Sequence, residues 1–389
     1  MMEWLRAMVE IMPQAKRTIT INLHNNGTDF IGEPIYLTGN MVDWKVDGLY
    51  VGILPPKGES LRVDLEHIDS TQLEFKINRG SWHTLTASKD GFLLPPYVME
   101  SDTDASLDIY IDAWRDTFPK STASSRVSLL ADSFYFKRLD SYKRIWIYLP
   151  IGYEDTLKKY PVLYMHDGQH VFDESTSLGR MGPVEWQVDK SINRLNGDAI
   201  VVAIEHALPF SEREKEYMIF PTAMVPEPLG RDYLQDIVET LKPYVDLHYR
   251  TLSEKPFTAM AGSSLAGLLA LEAGLLYPDV FGYLGVFSPS IWTAKPAVFG
   301  LLNEAVALAS HGIGEQGYFY YAGGMEKRAS ETGDRPRMLT DMLEFTAAHR
   351  EKTTSELIVD IDDRGKHGAL YWQKVFPRFF ESWQRYVNR

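Results

Sequence analysis

Cysteine is absent from the sequence, and this absence removes several kinds of chemistry at once. Without thiols the chain has no disulfides, no cysteine zinc site and no thiolate nucleophile. The absence fits a reducing compartment, and residues 1–16 carry Glu3, Arg6 and Glu10 where a signal peptide has an uninterrupted apolar core. We therefore expect a cytoplasmic protein, with a periplasmic location as the alternative if a leader was removed.

Long apolar runs and an excess of positive charge are also missing. The sequence holds no run of about 18 apolar residues, the length that a membrane-spanning helix requires. Its formal net charge of -13 is opposite in sign to the basic face with which proteins neutralise phosphates. We expect neither a membrane nor a nucleic acid as partner.

The residues that are present predict a folded chain of two domains. The chain has 389 residues, of which 44% are hydrophobic and 24% charged, and this length exceeds one ordinary domain. Residues 15–116 contain short alternating strands separated by glycine-, asparagine- and proline-rich turns, which predicts a β-sandwich. Residues 1–14 form either a short amphipathic helix ended by Pro13 or a tail. Residues 117–126 are small and polar and predict a linker.

From residue 127 to residue 389 the pattern changes to apolar strands that alternate with amphipathic helices. This alternation predicts an α/β fold with a doubly wound sheet. In such sheets functional groups gather at the carboxyl ends of the strands.

The strongest functional motif is Gly262-Ser263-Ser264-Leu265-Ala266, between an apolar strand and an apolar helix. It matches the G-x-S-x-G turn that pushes a nucleophilic serine hydroxyl out of the sheet, with Ala266 in place of the last glycine. We predict that Ser264 is the nucleophile. Ser263 is the competing serine, but it occupies the position whose side chain turns away from the cleft.

A serine nucleophile needs a histidine base, and in α/β-hydrolases the chain order is serine, acid, histidine. His367 lies in a glycine-rich loop between the last strand and the last helix, and we predict it as the base. Glu326 follows the penultimate strand and is the predicted acid, which holds the imidazole in its working tautomer. Asp362 and Asp363 are the fallback acids, and a Ser–His dyad without an acid is a further alternative.

The loop after the strand at 161–165 predicts an oxyanion hole. We expect the N–H of Gln169 and the N–H of Leu265 to hold the developing negative charge. His166, Asp167, His170 and Asp173 in the same loop also permit a metal site, but their spacing matches no established ligand pattern, so we predict no metal and no cofactor.

Two stretches of the N-terminal part, Tyr36–Trp44 and Phe75–Trp82, resemble starch-binding-type carbohydrate modules and their immunoglobulin-like relatives. The resemblance implies an immunoglobulin-like β-sandwich in which Trp44 and Trp82 stack on sugar rings, whose axial C–H groups form apolar patches. The alternative is that both tryptophans fill the core or an interface between domains.

About two-thirds of the chain resembles the enterochelin-esterase-like, or esterase D, branch of the α/β-hydrolases. The matching stretches are Arg144–Tyr153, Tyr160–Gln169, Trp186–Asp189, Arg213–Tyr217, Gly262–Gly267, Phe287–Trp292 and Gly365–His367. The family includes siderophore esterases, feruloyl and acetyl-xylan esterases, S-formylglutathione hydrolases and mycolyltransferases. In the siderophore and feruloyl branches a β domain precedes the hydrolase domain.

The resemblance implies a serine carboxylic-ester hydrolase that works through an acyl-enzyme on a small-molecule or carbohydrate ester. Arg180, Arg213 and Trp292 are the residues that we expect in its substrate pocket. An oligomer is compatible with the sequence. The alternative is a carbohydrate-binding or adaptor protein whose hydrolase fold has lost its activity.

Overall fold

The computed structural model describes residues 18–66, 72–100, 103–177, 179, 182–308, 315–326 and 336–389. The helix or tail predicted for residues 1–14 lies outside these ranges. The chain divides into two compact units. The first takes in the described residues up to Thr122 and between Leu178 and Val184, and the second those of Ala123–Ser177 and Glu185–Arg389.

The first unit consists of β-strands. A three-stranded sheet has the order β4-β1-β8, a four-stranded sheet has the order β3-β2-β5-β7, and β6 pairs with β9. Alternate residues of β1 are buried, so that Ile19, Ile21 and Leu23 share one core with residues of both larger sheets. The strands are β1 Thr18–Asn25, β2 Pro34–Gly39, β3 Leu49–Ile53, β4 Ser60–Glu66, β5 Gln72–Asn78, β6 Thr86–Ala87, β7 Tyr97–Glu100, β8 Ala105–Ile111 and β9 Ala113–Trp114.

The second unit is built on an eight-stranded sheet with the order β10-β11-β13-β12-β14-β15-β16-β17. Its first pairs, β10 with β11 and β11 with β13, are antiparallel, and the remaining pairs are parallel. The strands are β10 Val127–Phe136, β11 Ser141–Tyr148, β12 Val162–Met165, β13 Ile200–Ile204, β14 Thr258–Ser263, β15 Tyr283–Phe287, β16 Gly317–Gly323 and β17 Glu356–Asp362.

Helices follow the parallel strands, so the predicted α/β class is confirmed. They are α1 Val188–Arg194, α2 Phe210–Tyr217, α3 Gly230–Asp236, α4 Lys242–His248, α5 Leu265–Leu276, α6 Lys295–Leu308, α7 Arg337–Lys352 and α8 Ala369–Val387. A π-helical stretch, Ile237–Leu241, joins α3 to α4. Within the described ranges, none of the helices has the length and apolar character needed to cross a membrane.

Among the described residues of the second unit, buried apolar side chains form two clusters. One contains most of α5, which is buried along nearly its whole length. The other contains the aromatic side of α8, including Phe376, Phe379, Phe380 and Trp383. These two helices therefore anchor the segments that precede them, namely the turn at Ser264 and the loop at His367.

The close approach of α5 to β15 depends on Gly267. A Cβ atom placed on this glycine would lie 2.5 Å from the carbonyl oxygen of Phe287, which belongs to the backbone and cannot rotate away. Gly300 in α6 is the opposite case, because a Cβ there meets no atom within 4 Å.

We predict that Gly267→Ala and Gly300→Ala change stability in opposite directions. Gly267→Ala should destabilise the second unit by about 1–3 kcal/mol through overpacking. Gly300→Ala should stabilise it by about 0.5–1 kcal/mol, because alanine loses less entropy in a helix. Scanning calorimetry of both variants measures the shifts, and a neutral Gly267→Ala would contradict the close contact.

Candidate active site

Ser264 stands on the turn between β14 and α5. Its backbone has φ 60 and ψ -121, a conformation that is strained for any residue with a Cβ. The turn is held from both sides, since the Ser264 N–H donates to Phe287 O at 2.9 Å and the Ser264 carbonyl accepts from Leu268 N–H at 3.0 Å. A Cβ on Gly262 would lie 2.6 Å from Ala266 O, so the turn has no room for a larger residue there.

The two candidate serines differ in exposure. Ser263 is the last residue of β14 and is 4% exposed, whereas Ser264 is half-buried. The hydroxyl of Ser264 lies 3.2 Å from that of Ser290, which follows β15. In the described part of the chain no hydrogen bond joins Ser264 to His367. Such catalytic bonds often tighten only when substrate binds.

His367 and Glu326 form a hydrogen-bonded pair. Nδ1 of His367 lies 3.1 Å from Oε2 of Glu326, and the carboxylate is fully buried while the imidazole is 35% exposed. His367 lies in the loop between β17 and α8, and Glu326 follows β16. The pair and Ser264 thus come from the carboxyl ends of parallel strands in one sheet, with β15 between the strand of Ser264 and that of Glu326.

The fallback acids face the same loop but make different contacts. Asp362 accepts the backbone N–H of Arg364 at 3.0 Å through Oδ1, and its carbonyl accepts that of Gly365 at 2.8 Å. These bonds shape the turn that leads to His367. Of the three candidate acids, Glu326 is the one that bonds to the imidazole in the described chain.

The predicted oxyanion loop follows β12 and contains the short 3-10 helix Gly168–His170. Asp167 has a left-handed backbone with φ 56, and a Cβ on Gly168 would lie 2.8 Å from the backbone of Ala203 and Ile204. The loop is therefore pressed against β13. Since β12 pairs in parallel with β14, it lies at the same sheet edge as the Ser264 turn.

The two predicted oxyanion donors are held differently. Leu265 is the first residue of α5, and the first turn of a helix leaves its N–H groups without intrahelical partners. Gln169 is fixed through its side chain, whose Oε1 accepts the His206 N–H at 3.2 Å. The backbone of Gln169 is thereby anchored to the segment after β13.

Arg213 on α2 is committed to Asp167. Its guanidinium donates twice to the carboxylate, at 2.6 and 2.8 Å, and both side chains are largely buried. Burial alone raises the pKa of Asp167, but the charge and hydrogen bonds of Arg213 outweigh it and hold that pKa well below its usual range. Arg213 therefore braces the loop after β12, and its charge is neutralised there.

The rest of the expected substrate pocket is less defined. Trp292 is half-buried in the 3-10 turn Ile291–Thr293, two residues beyond Ser290. Arg180 lies outside the described residues. The substrate-pocket role of Arg180, Arg213 and Trp292 therefore stays a prediction.

The two tryptophans expected to contact sugar have different surroundings. Trp44 is 8% exposed and follows the 3-10 turn Asn40–Val42, so its ring faces are covered and the core alternative describes it better. Trp82 is half-buried at the start of a short 3-10 helix. A Cβ on Gly182, which belongs to the same unit, would lie 2.5 Å from Cε3 of Trp82.

The histidines considered for a metal site have other partners. His166 Nδ1 lies 3.0 Å from the Tyr233 hydroxyl, and His170 Nδ1 lies 2.8 Å from the Ser177 hydroxyl. No group of three or more metal-binding side chains converges within the described part of the chain.

Three residues of the site carried no assigned role in the sequence analysis. Ser288 donates to Oε1 of Glu326 at 2.6 Å, Trp372 donates to Ser288 at 3.0 Å, and Ser290 contacts Ser264. Ser288 and Ser290 fall in the motif Phe287–Trp292, which was a usable signal. No sequence signal pointed to Trp372, because its hydrogen-bond partner Ser288 is 84 positions away in the sequence.

A serine on a strained strand-to-helix turn, a hydrogen-bonded Glu–His pair and a mostly parallel sheet define an α/β-hydrolase-type protein. A sequence profile of the family described as "Putative esterase" matches residues 137–385. The chain belongs to this family.

The chain is similar in sequence to curated proteins and in structure to solved proteins. YbbA, an uncharacterized protein of Bacillus subtilis, is 26% identical over 64% of this chain and 94% of its own length. The ferri-bacillibactin esterase BesA of the same organism is 28% identical over 47% of this chain and 66% of its own. The enterobactin esterase FES from Shigella flexneri has a TM-score of 0.53 at 15% identity, covering 97% of this chain and 95% of its own, which shows a shared fold.

We predict that the folded protein loses stability in acid because it buries a histidine. Burial lowers the pKa of His166 to about 4 in the folded protein. In the unfolded chain the same imidazole binds a proton below about pH 6.5. Stability must therefore fall as pH falls through this window. For His166 alone we expect a loss of about 2 kcal/mol between pH 7 and pH 5.

His166→Gln tests this prediction because glutamine does not titrate. Urea unfolding at several pH values should give a shallower decline for the variant than for the wild type. Parallel curves would show that His166 does not contribute to the acid lability.

Proposed function

We propose that this protein hydrolyses carboxylic esters through an acyl-enzyme on Ser264. The observation that carries the proposal is the hydrogen-bonded His367–Glu326 pair at the same sheet edge as the strained Ser264 turn. Membership of the esterase family and the names of BesA and FES support the reaction class.

The reaction proceeds in two halves. His367 takes the proton of the Ser264 hydroxyl as its oxygen attacks the ester carbonyl, and the N–H groups of Leu265 and Gln169 hold the oxyanion. His367 then protonates the leaving alcohol. Water, deprotonated by His367, attacks the acyl-enzyme, and His367 returns that proton to the Ser264 oxygen as the acyl–oxygen bond breaks and the acid leaves. Glu326 stabilises the imidazolium in both halves.

For substrate we propose siderophore esters or acyl and feruloyl carbohydrate esters. The siderophore class is supported by BesA and FES, whose names specify ferri-bacillibactin and enterobactin. Residues 15–116 would form an immunoglobulin-like β-sandwich domain, residues 117–126 a linker and residues 127–389 the catalytic domain. We place the protein in the cytoplasm.

Removing the Ser264 hydroxyl should abolish hydrolysis. We expect Ser264→Ala to lose at least about 10³-fold in kcat on p-nitrophenyl butyrate and to escape labelling by a fluorophosphonate probe. Ser263→Ala is the matched control, because it removes the neighbouring hydroxyl that the turn directs inward. Full activity of Ser264→Ala, or a folded wild type that neither hydrolyses nor labels, would overturn the proposal and favour the binding or adaptor alternative.

A panel of esters tests the substrate class. It comprises a catecholate siderophore trilactone, feruloyl oligosaccharide, acetyl xylan and p-nitrophenyl acetate, compared by kcat/KM. We expect a siderophore or carbohydrate ester to exceed p-nitrophenyl acetate by at least about tenfold, since contacts to remote parts of the true substrate lower the barrier. A preference for the short ester alone would reject both substrate classes.

A further inference from the structure

A continuous chain of hydrogen bonds runs through the acid of the site. The indole N–H of Trp372 donates to the Ser288 hydroxyl at 3.0 Å, and that hydroxyl donates to Oε1 of Glu326 at 2.6 Å. The other oxygen, Oε2, lies 3.1 Å from His367 Nδ1. Ser288 is fully buried and Trp372 is 9% exposed, so water does not compete for these bonds.

The chemistry of the four side chains determines which of them donates and which accepts in each hydrogen bond. An indole N–H can only donate, so Ser288 accepts from Trp372 and is free to donate its own proton onward. Oε1 also accepts the backbone N–H of Gly323 at 2.8 Å. A carboxylate oxygen with two donors directed at it acts as an acceptor, and Oε2 is the acceptor for the imidazole. Nδ1 of His367 must then carry the proton, which leaves Nε2 with the lone pair that a base requires.

The backbone of Ser288 is fixed in a conformation that directs its hydroxyl toward Glu326. Its φ is 45, in the left-handed region, and its N–H donates to Tyr321 O at 2.6 Å on the neighbouring strand β16. A strained conformation of this kind persists only where the surroundings determine it. The hydroxyl is thereby aimed at Glu326 from the end of β15.

Trp372 is the first donor in this series of hydrogen bonds and also contacts His367 at the other end of the series. It lies in the first turn of α8, and its ring meets the His367 ring edge-on at 5.0 Å between centroids. It stacks on Trp186 at 5.7 Å, which restricts its own rotation. The same side chain therefore orients the Ser288 hydroxyl and limits the tilt of the imidazole.

We propose that Ser288 and Trp372 are positioning residues that fix the Glu326 carboxylate and set the tautomer of His367. This inference rests on the proposed esterase function and deepens it. Neither side chain is expected to touch the substrate. Their effect should appear in the rate of proton transfer and leave substrate binding unchanged.

Ser288→Ala is the first test. A hydrogen bond to a charged group contributes about 1.5–3 kcal/mol, so we expect kcat on p-nitrophenyl butyrate to fall about 10–100-fold with KM within about twofold. Ser382→Ala is the matched control, since Ser382 is a buried serine that bonds to Tyr283 instead. Its kcat should stay near the wild-type value.

Trp372→Phe is the second test and keeps an aromatic ring in the same space. It should lower kcat about 3–30-fold, because the Ser288 hydroxyl loses the donor that orients it. Trp383→Phe is matched to it, being a fully buried tryptophan on the same helix. Nothing in the described chain accepts a hydrogen bond from the Trp383 Nε1. This control should leave kcat unchanged.

Proton NMR reads the tautomer directly. An imidazole Nδ1–H bonded to a carboxylate resonates at low field, and His367→Gln assigns that signal by removing it. We expect the signal to move upfield or broaden in Ser288→Ala and Trp372→Phe, and to stay in place in both controls. Calorimetry on every variant shows whether the protein remains folded.

The outcomes separate this inference from the function beneath it. If Ser264→Ala abolishes hydrolysis while folded Ser288→Ala and Trp372→Phe keep wild-type kcat and the low-field signal, the positioning role is wrong and the esterase stands. If Ser264→Ala remains active, the proposed function fails first. A rise in KM with unchanged kcat would also overturn the positioning role, because it would indicate a substrate contact.

Discussion

The buried carboxylate of Glu326 is the constraint on which the candidate site depends. Removing an ionised group from water costs several kcal/mol unless charges or donors replace the lost hydration. Here the donors come from three separate places: the end of β15 through Ser288, the end of β16 through Gly323, and the loop before α8 through His367. Satisfying one side chain therefore ties together three segments that are remote in sequence.

The loop after β12 has the same kind of organisation around a second buried acid. Asp167 is compensated by Arg213 of α2, and the backbone N–H of Asp167 donates to the Tyr217 hydroxyl oxygen at 3.1 Å. Removing one member of such a pair leaves an uncompensated buried charge and costs about 3–5 kcal/mol. Arg213, which the sequence predicted in the substrate pocket, thus neutralises a buried carboxylate of the scaffold.

The parts of the site that are local in sequence were predictable. Small residues around Ser264 and the apolar run after it predicted the turn and an apolar helix, which agrees with α5. Glu326 was harder, because an acid after β16 has no local pattern that distinguishes it from a surface residue. Ser288 and Trp372 were missed because their hydrogen bonds cross 38 and 84 positions. For Trp44 both a sugar contact and a core position stayed open, since sequence alone does not tell a buried ring from an exposed one.

The segment that follows β15 links the nucleophile to the acid. Ser288 bonds to Glu326, while Ser290 contacts the Ser264 hydroxyl at 3.2 Å and donates its N–H to the Ser264 carbonyl at 3.0 Å. For the proposed reaction Ser264 must exchange its bond with Ser290 for one with His367. A hydrogen bond between neutral groups contributes about 1 kcal/mol net, so this exchange is small beside the barrier reduction of an esterase. The pair of serines can therefore hold the nucleophile at rest without slowing the chemistry appreciably.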